Sequence, residues 1–126
     1  MTLSHVHRLL SCKVYSGEEL LDRPVLYGCA SDLMSDVLAF SRAGALLLTG
    51  LVNIQTVQTA HIAEINAIIF VRGKKPDKNV IEFAQDKCIP LLATPYSMYE
   101  ASGILYRAGI PSTMKPVPDL ASSEGA

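Results

Sequence analysis

The apolar positions of this sequence fall into short continuous runs, separated by polar turns and by stretches with helical spacing. Ala45–Leu48 and Ala67–Val71 are two such runs, and uninterrupted apolar strands are typical of a sheet that is covered on both faces. A turn that contains Gly50 follows the first run, and apolar residues from about 54 to 65 then recur at helical spacing. These segments predict a strand–helix–strand unit, around which the rest of the chain is organised.

The same alternation repeats on both sides of this unit. The first further helix is expected to bury Leu33, Val37 and Phe40. Short strands joined by helical crossovers give a parallel sheet. The predicted fold is therefore α/β, with three α/β/α layers and a mainly parallel sheet of about five strands. The pattern adds strands over Val25–Ala30 and Ile89–Ala93, and helices over about 33–42, 76–88 and 98–108. The helix over 76–88 is expected to place Cys88 on its inner face.

The two ends of the chain depart from this pattern. Residues 1–8 are interrupted by two histidines and an arginine, and they are expected to be weakly ordered. Leu9–Tyr15 alternates apolar and polar residues, which is typical of a strand with one exposed face, so we place it at an edge of the sheet. From Pro111 onward prolines, serines and small residues dominate. We expect a single domain over residues 1–110 and a flexible C-terminal tail over 111–126.

Composition supports one globular domain and excludes several classes of partner. The 126 residues are 49% hydrophobic and 18% charged, which suffices for a core. The net charge of −1 leaves no basic excess for nucleic-acid phosphates, and no apolar run approaches the ~20 residues that cross a bilayer. The three cysteines form no Cys-x-x-Cys pair, and Cys29 is expected to be a buried, unreactive thiol. We expect a cytoplasmic protein with neither nucleic-acid nor membrane partners.

Most of the chain carries features of a known family. The features are Thr49-Gly50 at a strand end, Arg72-Gly73 after the next strand, Pro76-Asp77 ahead of Val80-Ile81, and Ile89-Pro90-Leu91 leading to Thr94. With these features the chain resembles the DRTGG domain over about residues 9–110. The resemblance implies a fold like that of the N-terminal domain of HPr kinase/phosphorylase.

The resemblance also implies a role. DRTGG domains occur beside catalytic domains in phosphate acetyltransferases and CBS-containing pyrophosphatases, and stand-alone members often occur beside hydrogenase-like redox systems. The implied role is a regulatory or ligand-responsive module that forms dimers. The Asp-Arg-Thr-Gly-Gly motif that names the family is absent here, where the comparable turn is Thr49-Gly50-Leu51-Val52-Asn53. Anion contacts made by that acid or arginine elsewhere therefore do not transfer to this chain.

Residues at the four predicted strand–helix turns form a candidate ligand site. Ligands of parallel α/β sheets lie where strands end and helices begin. Helix N-termini and nearby cations would favour a phosphate or carboxylate group there. In the alternative interpretation the short polar residues cap helices, with Ser31 or Asp32 at the first of them, and the cations are solvated loop charges. The candidates are Ser31, Asp32, Thr49, Gly50, Asn53, Arg72, Gly73, Lys74, Thr94 and Ser97.

No combination of side chains predicts a catalytic centre, a metal site or a cofactor. Nucleophilic catalysis needs a base within reach and a group that orients it. His61 lies on an apolar helical stripe and is expected in the core or in an interface, and a metal site at His5 and His7 lacks further ligands. Asp32 and Asp36 lie one helical turn apart, either as a carboxylate pair or as charges at a helix start.

The last predicted helix has more apolar and aromatic surface than one buried stripe requires. Tyr99 and Tyr106 either lie in a dimer interface, where aromatic residues are enriched, or pack within the chain. The first functional hypothesis is a non-catalytic DRTGG regulatory module that forms a homodimer and binds a small anionic ligand, such as a nucleotide or phosphate. The alternatives are an accessory protein that binds a partner redox enzyme without a ligand, and a small phosphate-handling enzyme that uses Asp32, Thr49 and Arg72.

Overall fold

The computed structural model describes residues 1–118, and its described part is built around one five-stranded sheet. The strands are β1 (Lys13–Ser16), β2 (Tyr27–Ala30), β3 (Ala45–Thr49), β4 (Ala67–Phe70) and β5 (Leu91–Ala93). Their order across the sheet is β1-β5-β4-β3-β2; β1 pairs antiparallel with β5, and the other neighbours are parallel. The predicted α/β fold is confirmed, as is the place of the first strand at an edge.

Within residues 1–118, five α-helices cover the two faces of this sheet. They are α1 (Leu3–Leu9), α2 (Met34–Phe40), α3 (Ile54–Ile62), α4 (Lys78–Asp86) and α5 (Met98–Arg107). Buried residues of α1 and α5 share one hydrophobic core, and those of α2, α3 and α4 share the other. The three layers are therefore confirmed. Helix α5 follows β5 but crosses back over β2 and β3 on the face opposite to α4.

Strand β3 shows how the sheet separates the two cores. Leu46 and Leu48 belong to the core under α1 and α5, whereas Leu47 belongs to the core under α2, α3 and α4. Successive residues of a strand point to opposite faces. Because both faces are covered, all three leucines are buried, and each contributes roughly 2 kcal/mol by its removal from water. An uninterrupted apolar run is the sequence pattern that such a strand requires.

The N-terminal segment is a helix, so the prediction of weak order there is wrong. Leu3, Val6 and Leu10 are fully buried at helical spacing and pack in the same core as α5. Thr2 caps the helix, because its hydroxyl accepts a hydrogen bond from the third amide that follows. The chain leaves α1 through Leu10, and the first strand accordingly begins only at Lys13.

Helix α2 buries fewer side chains than its apolar pattern predicts. Val37 is 2% exposed, whereas Leu33 and Phe40 of the predicted inner face are 57% and 52% exposed. The reason is the position of β2, the strand before α2, which is the second edge of the sheet. A helix at the edge has a neighbouring helix on one side only, so part of its apolar stripe stays in solvent.

Two more side chains that were expected inside the fold lie outside it. His61 of α3 is exposed, so it does not lie in the core, and a place in an interface stays a prediction. Cys88, which was expected on the inner face of the next helix, follows α4 in an exposed position. Both residues lie at helix ends, where the chain turns away from the sheet and the helical pattern of burial stops.

The segment after α5 returns along the outer edge of β2. The Gly28 amide donates to the Pro111 carbonyl at 2.8 Å, and the Thr113 amide donates to the Gly28 carbonyl at 3.3 Å. These bonds tie the beginning of the predicted tail to the sheet. The division into a domain over 1–110 and a flexible tail stays a prediction, and residues 119–126 lie outside the described residues. No helix within residues 1–118 is long and apolar enough to cross a membrane.

Candidate functional site

Five of the candidate residues come together at the carboxyl edge of the sheet. Because β2, β3 and β4 are parallel, the turns that follow them meet at this edge. Asp32 follows β2, Thr49 and Gly50 lie at the end of β3, and Arg72 and Lys74 follow β4. These five residues are termed the rim cluster. It contains one carboxylate and two cations.

Asp32 uses its carboxylate to hold the turn after β3. Its Oδ1 atom accepts a hydrogen bond from the Gly50 amide at 2.6 Å and another from the Thr49 hydroxyl at 3.0 Å. The prediction that Ser31 or Asp32 caps α2 is wrong, since the cap position is Leu33. The Ser31 hydroxyl accepts a hydrogen bond from the Leu33 amide at 3.0 Å, but this amide lies ahead of the first turn of α2. The bond between Asp32 and the Gly50 amide stabilises the fold more than a helix cap would, because a buried amide without an acceptor costs about 1–3 kcal/mol.

Gly50 allows three charged groups to approach one stretch of backbone. A Cβ atom at this position would lie 3.0 Å from Nη2 of Arg72 and 3.5 Å from both carboxylate oxygens of Asp32. On the other side, the Lys74 ammonium group donates to the Gly50 carbonyl at 2.8 Å. A larger residue would push the guanidinium away. Glycine here therefore brings the cations of the rim cluster close to its carboxylate.

Arg72 is held in a left-handed conformation by its backbone. Its φ is +58°, and its amide donates to the Tyr96 carbonyl at 2.8 Å while the Gly73 amide donates to the Thr94 carbonyl at 2.7 Å. The other non-glycine residues with positive φ in the described chain directly follow the end of a helix, where that conformation is common. Arg72 follows a strand instead. Its conformation costs about 1–2 kcal/mol, which the two hydrogen bonds to the turn after β5 offset.

The guanidinium group of Arg72 has no partner within the described chain. Among the described residues, no hydrogen bond or ion pair engages its guanidinium group, although Asp32 lies close by. The Asp32 carboxylate is directed at the Gly50 amide instead. The rim cluster therefore presents an exposed arginine whose guanidinium donors have no acceptor among the described residues.

The other five candidates support the fold rather than the cluster. Asn53 caps α3 by accepting from the Thr56 amide at 2.9 Å, and Ser97 caps α5 by accepting from the Glu100 amide at 3.1 Å. The Thr94 hydroxyl is buried and donates to the Leu10 carbonyl at 2.6 Å. Ser31 and Gly73 take part in the turn contacts given above. The capping interpretation thus holds for Asn53 and Ser97.

Thr49 of the rim cluster is not accessible as a nucleophile, and two further candidate groups lie outside the cluster or are absent from the described chain. Thr49 is fully buried, and its hydroxyl both donates to Asp32 and accepts from the Leu51 amide at 3.1 Å, so a substrate has no access to it as a nucleophile. Asp36 lies in the first turn of α2 and takes no part in these contacts. Within the described chain, no three His, Cys, Asp or Glu residues are placed to hold a metal ion.

The cysteines contribute no reactive group to the site. Burial raises the pKa of the Cys29 thiol to about 11 and that of the Cys12 thiol to about 12. Both thiols are therefore protonated at neutral pH, because an apolar environment disfavours the thiolate. This agrees with the prediction that Cys29 is unreactive.

The family of the chain follows from its similarity to known domains. The DRTGG domain matches residues 5–108. The chain belongs to the DRTGG domain family. The match runs from within α1 to just beyond α5, so it includes the whole sheet and the rim cluster of this DRTGG domain.

A solved structure with the same fold comes from Clostridium perfringens. It contains the CBS and DRTGG domains of the regulatory region of a pyrophosphatase, in complex with the activator diadenosine tetraphosphate. The similarity has a TM-score of 0.71 and 19% sequence identity, and it covers 94% of this chain. The chain spans about half of that structure, 51% of its length, and at this identity the likeness establishes a shared fold. No curated protein is significantly similar in sequence.

Proposed function

We propose that this DRTGG domain is a non-catalytic, cytoplasmic regulatory module that forms a homodimer and binds a small anionic ligand, such as a nucleotide or phosphate, at the rim cluster. The observation that carries the proposal is the Arg72 guanidinium, which lies beside the Gly50 backbone with no acceptor among the described residues. A guanidinium group is planar and offers paired donors that match two oxygens of a phosphate. Lys74 adds a second positive charge.

The place of Arg72 in the sheet supports the proposal. Helices α4 and α5 lie on opposite faces of the sheet, although they follow the neighbouring strands β4 and β5. Ligands of α/β folds bind in the crevice outside such a pair of strand ends. Arg72 follows β4 and is bonded through its backbone to the turn after β5, so it lies at this crevice.

The solved relative supports the chemical class of the ligand. The activator in that structure, diadenosine tetraphosphate, carries a chain of phosphate groups. Because this DRTGG domain matches only part of that chain, the argument extends to phosphate-bearing anions as a class. The specific nucleotide is a matter for the binding experiment.

Asp32 limits how the ligand can bind. Its carboxylate already accepts the hydrogen bond of the Gly50 amide, the group that an anion in this turn would otherwise use. A ligand phosphate is therefore recognised by the side chains of Arg72 and Lys74 and is repelled by Asp32. Replacing Asp32 by asparagine removes the charge but leaves an acceptor oxygen for the amide.

Calorimetric titration with inorganic phosphate and with ATP at fixed ionic strength tests this site. Arg72→Ala removes a charge-assisted hydrogen bond and is expected to weaken binding at least ~10-fold. Lys75→Ala, one residue beyond the cluster, is the matched control and should change affinity little. Asp32→Asn is expected to strengthen binding about 5-fold, because a like charge is removed. Asp36→Asn is its control.

Two outcomes would contradict the proposal. If neither the wild-type domain nor the Asp32→Asn variant binds phosphate or ATP at millimolar concentration, the ligand part is wrong. If Arg72→Ala binds as tightly as the wild type, the ligand lies elsewhere on the molecule.

A further inference from the structure

The outer face of α5 is built from exposed aromatic residues around a glycine. Tyr99 and Tyr106 are 88% and 75% exposed, whereas Ala101 and Leu105 on the inner face are buried against the sheet. A Cβ atom at Gly103 would have no neighbour within 4 Å. The interpretation in which both tyrosines pack within the chain is therefore excluded. Two exposed tyrosines on one short helix form an apolar surface that is available to a partner.

Helical geometry places these residues in a line. Each residue turns an α-helix by ~100°, so Tyr99, Gly103 and Tyr106 point within about 60° of one another. Glu100 and Arg107 lie together on one side of this line, because they are two turns apart. The acidic residue is in the first turn and the basic residue is in the last. The face thus has a glycine without a side chain at its centre, an aromatic ring at each end and opposite charges along one side.

We propose that two copies of this DRTGG domain associate through this face, with their α5 helices antiparallel about a two-fold axis at Gly103. This axis passes between the two helices and is perpendicular to the plane that contains them. It reverses the direction of the second helix, while the charged side of each helix faces the same way in both copies. Tyr99 of one copy then meets Tyr106 of the other, since the two residues lie at nearly equal distances, about 6 and 4.5 Å along the helix, from Gly103. The two helices can approach closely at the centre because glycine has no side chain.

The charges identify a second copy as the occupant. In the same arrangement Glu100 of one copy lies opposite Arg107 of the other, and this pair occurs twice. In a parallel dimer, whose two-fold axis runs along the helices, the charged sides of the two copies would face opposite ways, and neither pair would form. An isologous interface requires a surface that is complementary to itself, and the antiparallel face meets this condition in both its aromatic and its charged residues.

The size of the face sets the strength of the association. The two tyrosines offer on the order of 300 Å² per copy, compared with about 800 Å² per partner in a stable complex. The α5 contact alone therefore predicts a weak, reversible dimer. This inference rests on the homodimer in the proposed function, to which it assigns a surface, and it is independent of the ligand at the rim cluster.

Sedimentation equilibrium across about 1 µM to 1 mM protein tests the surface by charge reversal. Glu100→Arg and Arg107→Glu each place two repulsive contacts in the interface and are expected to weaken the dimer about 10-fold. The double variant restores both pairs with reversed polarity, and its dissociation constant should return toward that of the wild type. Lys75→Glu reverses a loop charge elsewhere and should leave the dimer unchanged. Thermal unfolding checks that each variant is folded.

Glu100→Arg also weakens α5 itself, since a positive charge in the first turn opposes the helix dipole. A second variant controls for this effect. Tyr106→Ala lies outside that turn and should also weaken the dimer. The inference is overturned if the wild type is monomeric at 1 mM, if the single reversals do not weaken the dimer, or if the double variant is no tighter than they are. Phosphate binding by Arg107→Glu reports on the rim cluster separately, so failure of the surface and failure of the ligand site are distinguishable.

Discussion

Gly17 and Gly73 both have a left-handed backbone, but their surroundings differ. Gly17 has a φ of +80°, and a Cβ atom there would lie 2.8 Å from the Cα atom of Pro90. Gly73 has a φ of +66° and would place its Cβ atom in open space. The pair therefore separates the cost of backbone conformation from the cost of a steric clash. At Gly17 the clash is with the main chain ahead of β5, which cannot swing aside as a flexible side chain can.

We predict that Gly17→Ala lowers the free energy of unfolding by about 3 kcal/mol, the sum of backbone strain and overpacking. Gly73→Ala carries the strain alone and should cost about 1 kcal/mol. Urea denaturation of the two variants and the wild type measures both values. Equal costs for the two substitutions would show that the contact with Pro90 relaxes without penalty.

At the residue scale, Asp32 shows why the rim cluster was only partly predictable. A short acidic residue ahead of an apolar helical stretch is a typical helix cap, and the sequence offers no sign that its carboxylate instead reaches Gly50, 18 residues further along the chain. That contact depends on β2 and β3 being neighbours. Arg72 and Lys74 were predictable as members of one edge, because they follow a clearly apolar strand.

Four of the helices end in the same way. After α1, α3, α4 and α5 the chain places one residue in the left-handed conformation, and the next amide bonds back to the helix. These positions are Ser11, Glu64, Cys88 and Gly109. Only the last is a glycine, the residue that adopts this conformation without strain. Each of the other three helices therefore ends at a residue that is not the most favourable one.

We predict that Glu64→Gly stabilises the domain by about 0.5–1 kcal/mol. The substitution relieves the left-handed strain, and part of the gain is offset by the greater freedom of glycine in the unfolded chain. Glu64 is exposed and its side chain has no ion pair or hydrogen bond in the described structure, so the change removes no polar interaction. The midpoint of urea unfolding measures the effect.

Glu64→Ala and Gly109→Ala are the matched variants for this prediction. The first keeps a Cβ atom in the same conformation and should leave stability nearly unchanged, and the second should destabilise by about 1 kcal/mol. A Glu64→Gly variant that is no more stable than Glu64→Ala would mean that the end of α3 relaxes by itself.

At the element scale, the wrong predictions concern two helices, α1 and α2, whose sequences do not show a simple helical pattern. The signal for α1 was present in Leu3, Val6 and Leu10, whose spacing is helical, but the polar residues between them conceal it. In α2 the apolar stripe is wide, and periodicity does not tell which part faces the sheet. Which part is buried depends on the position of β2 at the edge of the sheet.

At the scale of the whole molecule, apolar runs predict layers but not strand order. Strands β3, β4 and β5 are buried on both faces and could be recognised from the sequence alone, as could the alternation with helices. Their neighbours in the sheet depend on the direction of each crossover. The pairing of Gly28 with the chain around Pro111 joins residues more than 80 positions apart, and no local pattern predicts it.

A partly buried thiol packs against each of the two cores of the molecule, and this makes the whole fold sensitive to alkaline pH. Cys12 packs against the core under α1 and α5, and Cys29 packs against the core under α2, α3 and α4. Burial raises their pKa values from 9.0 to about 12 and about 11. Above pH 9 the unfolded chain loses these protons while the folded chain keeps them. The unfolded state then binds fewer protons, so the free energy of unfolding falls as pH rises.

We therefore predict that stability declines between pH 9 and 11 through both thiols, and up to about pH 12 through Cys12 alone. The comparison is between the wild type and a Cys12→Ala/Cys29→Ala variant, so that the contribution of these two thiols is isolated. The variant is less stable at pH 8, because it leaves two small cavities, but its unfolding free energy should fall less steeply with pH. Urea unfolding at pH 8 and pH 10 measures both slopes. Equal slopes would mean that the folded protein ionises these thiols as readily as the unfolded chain does, and that neither core excludes the charge.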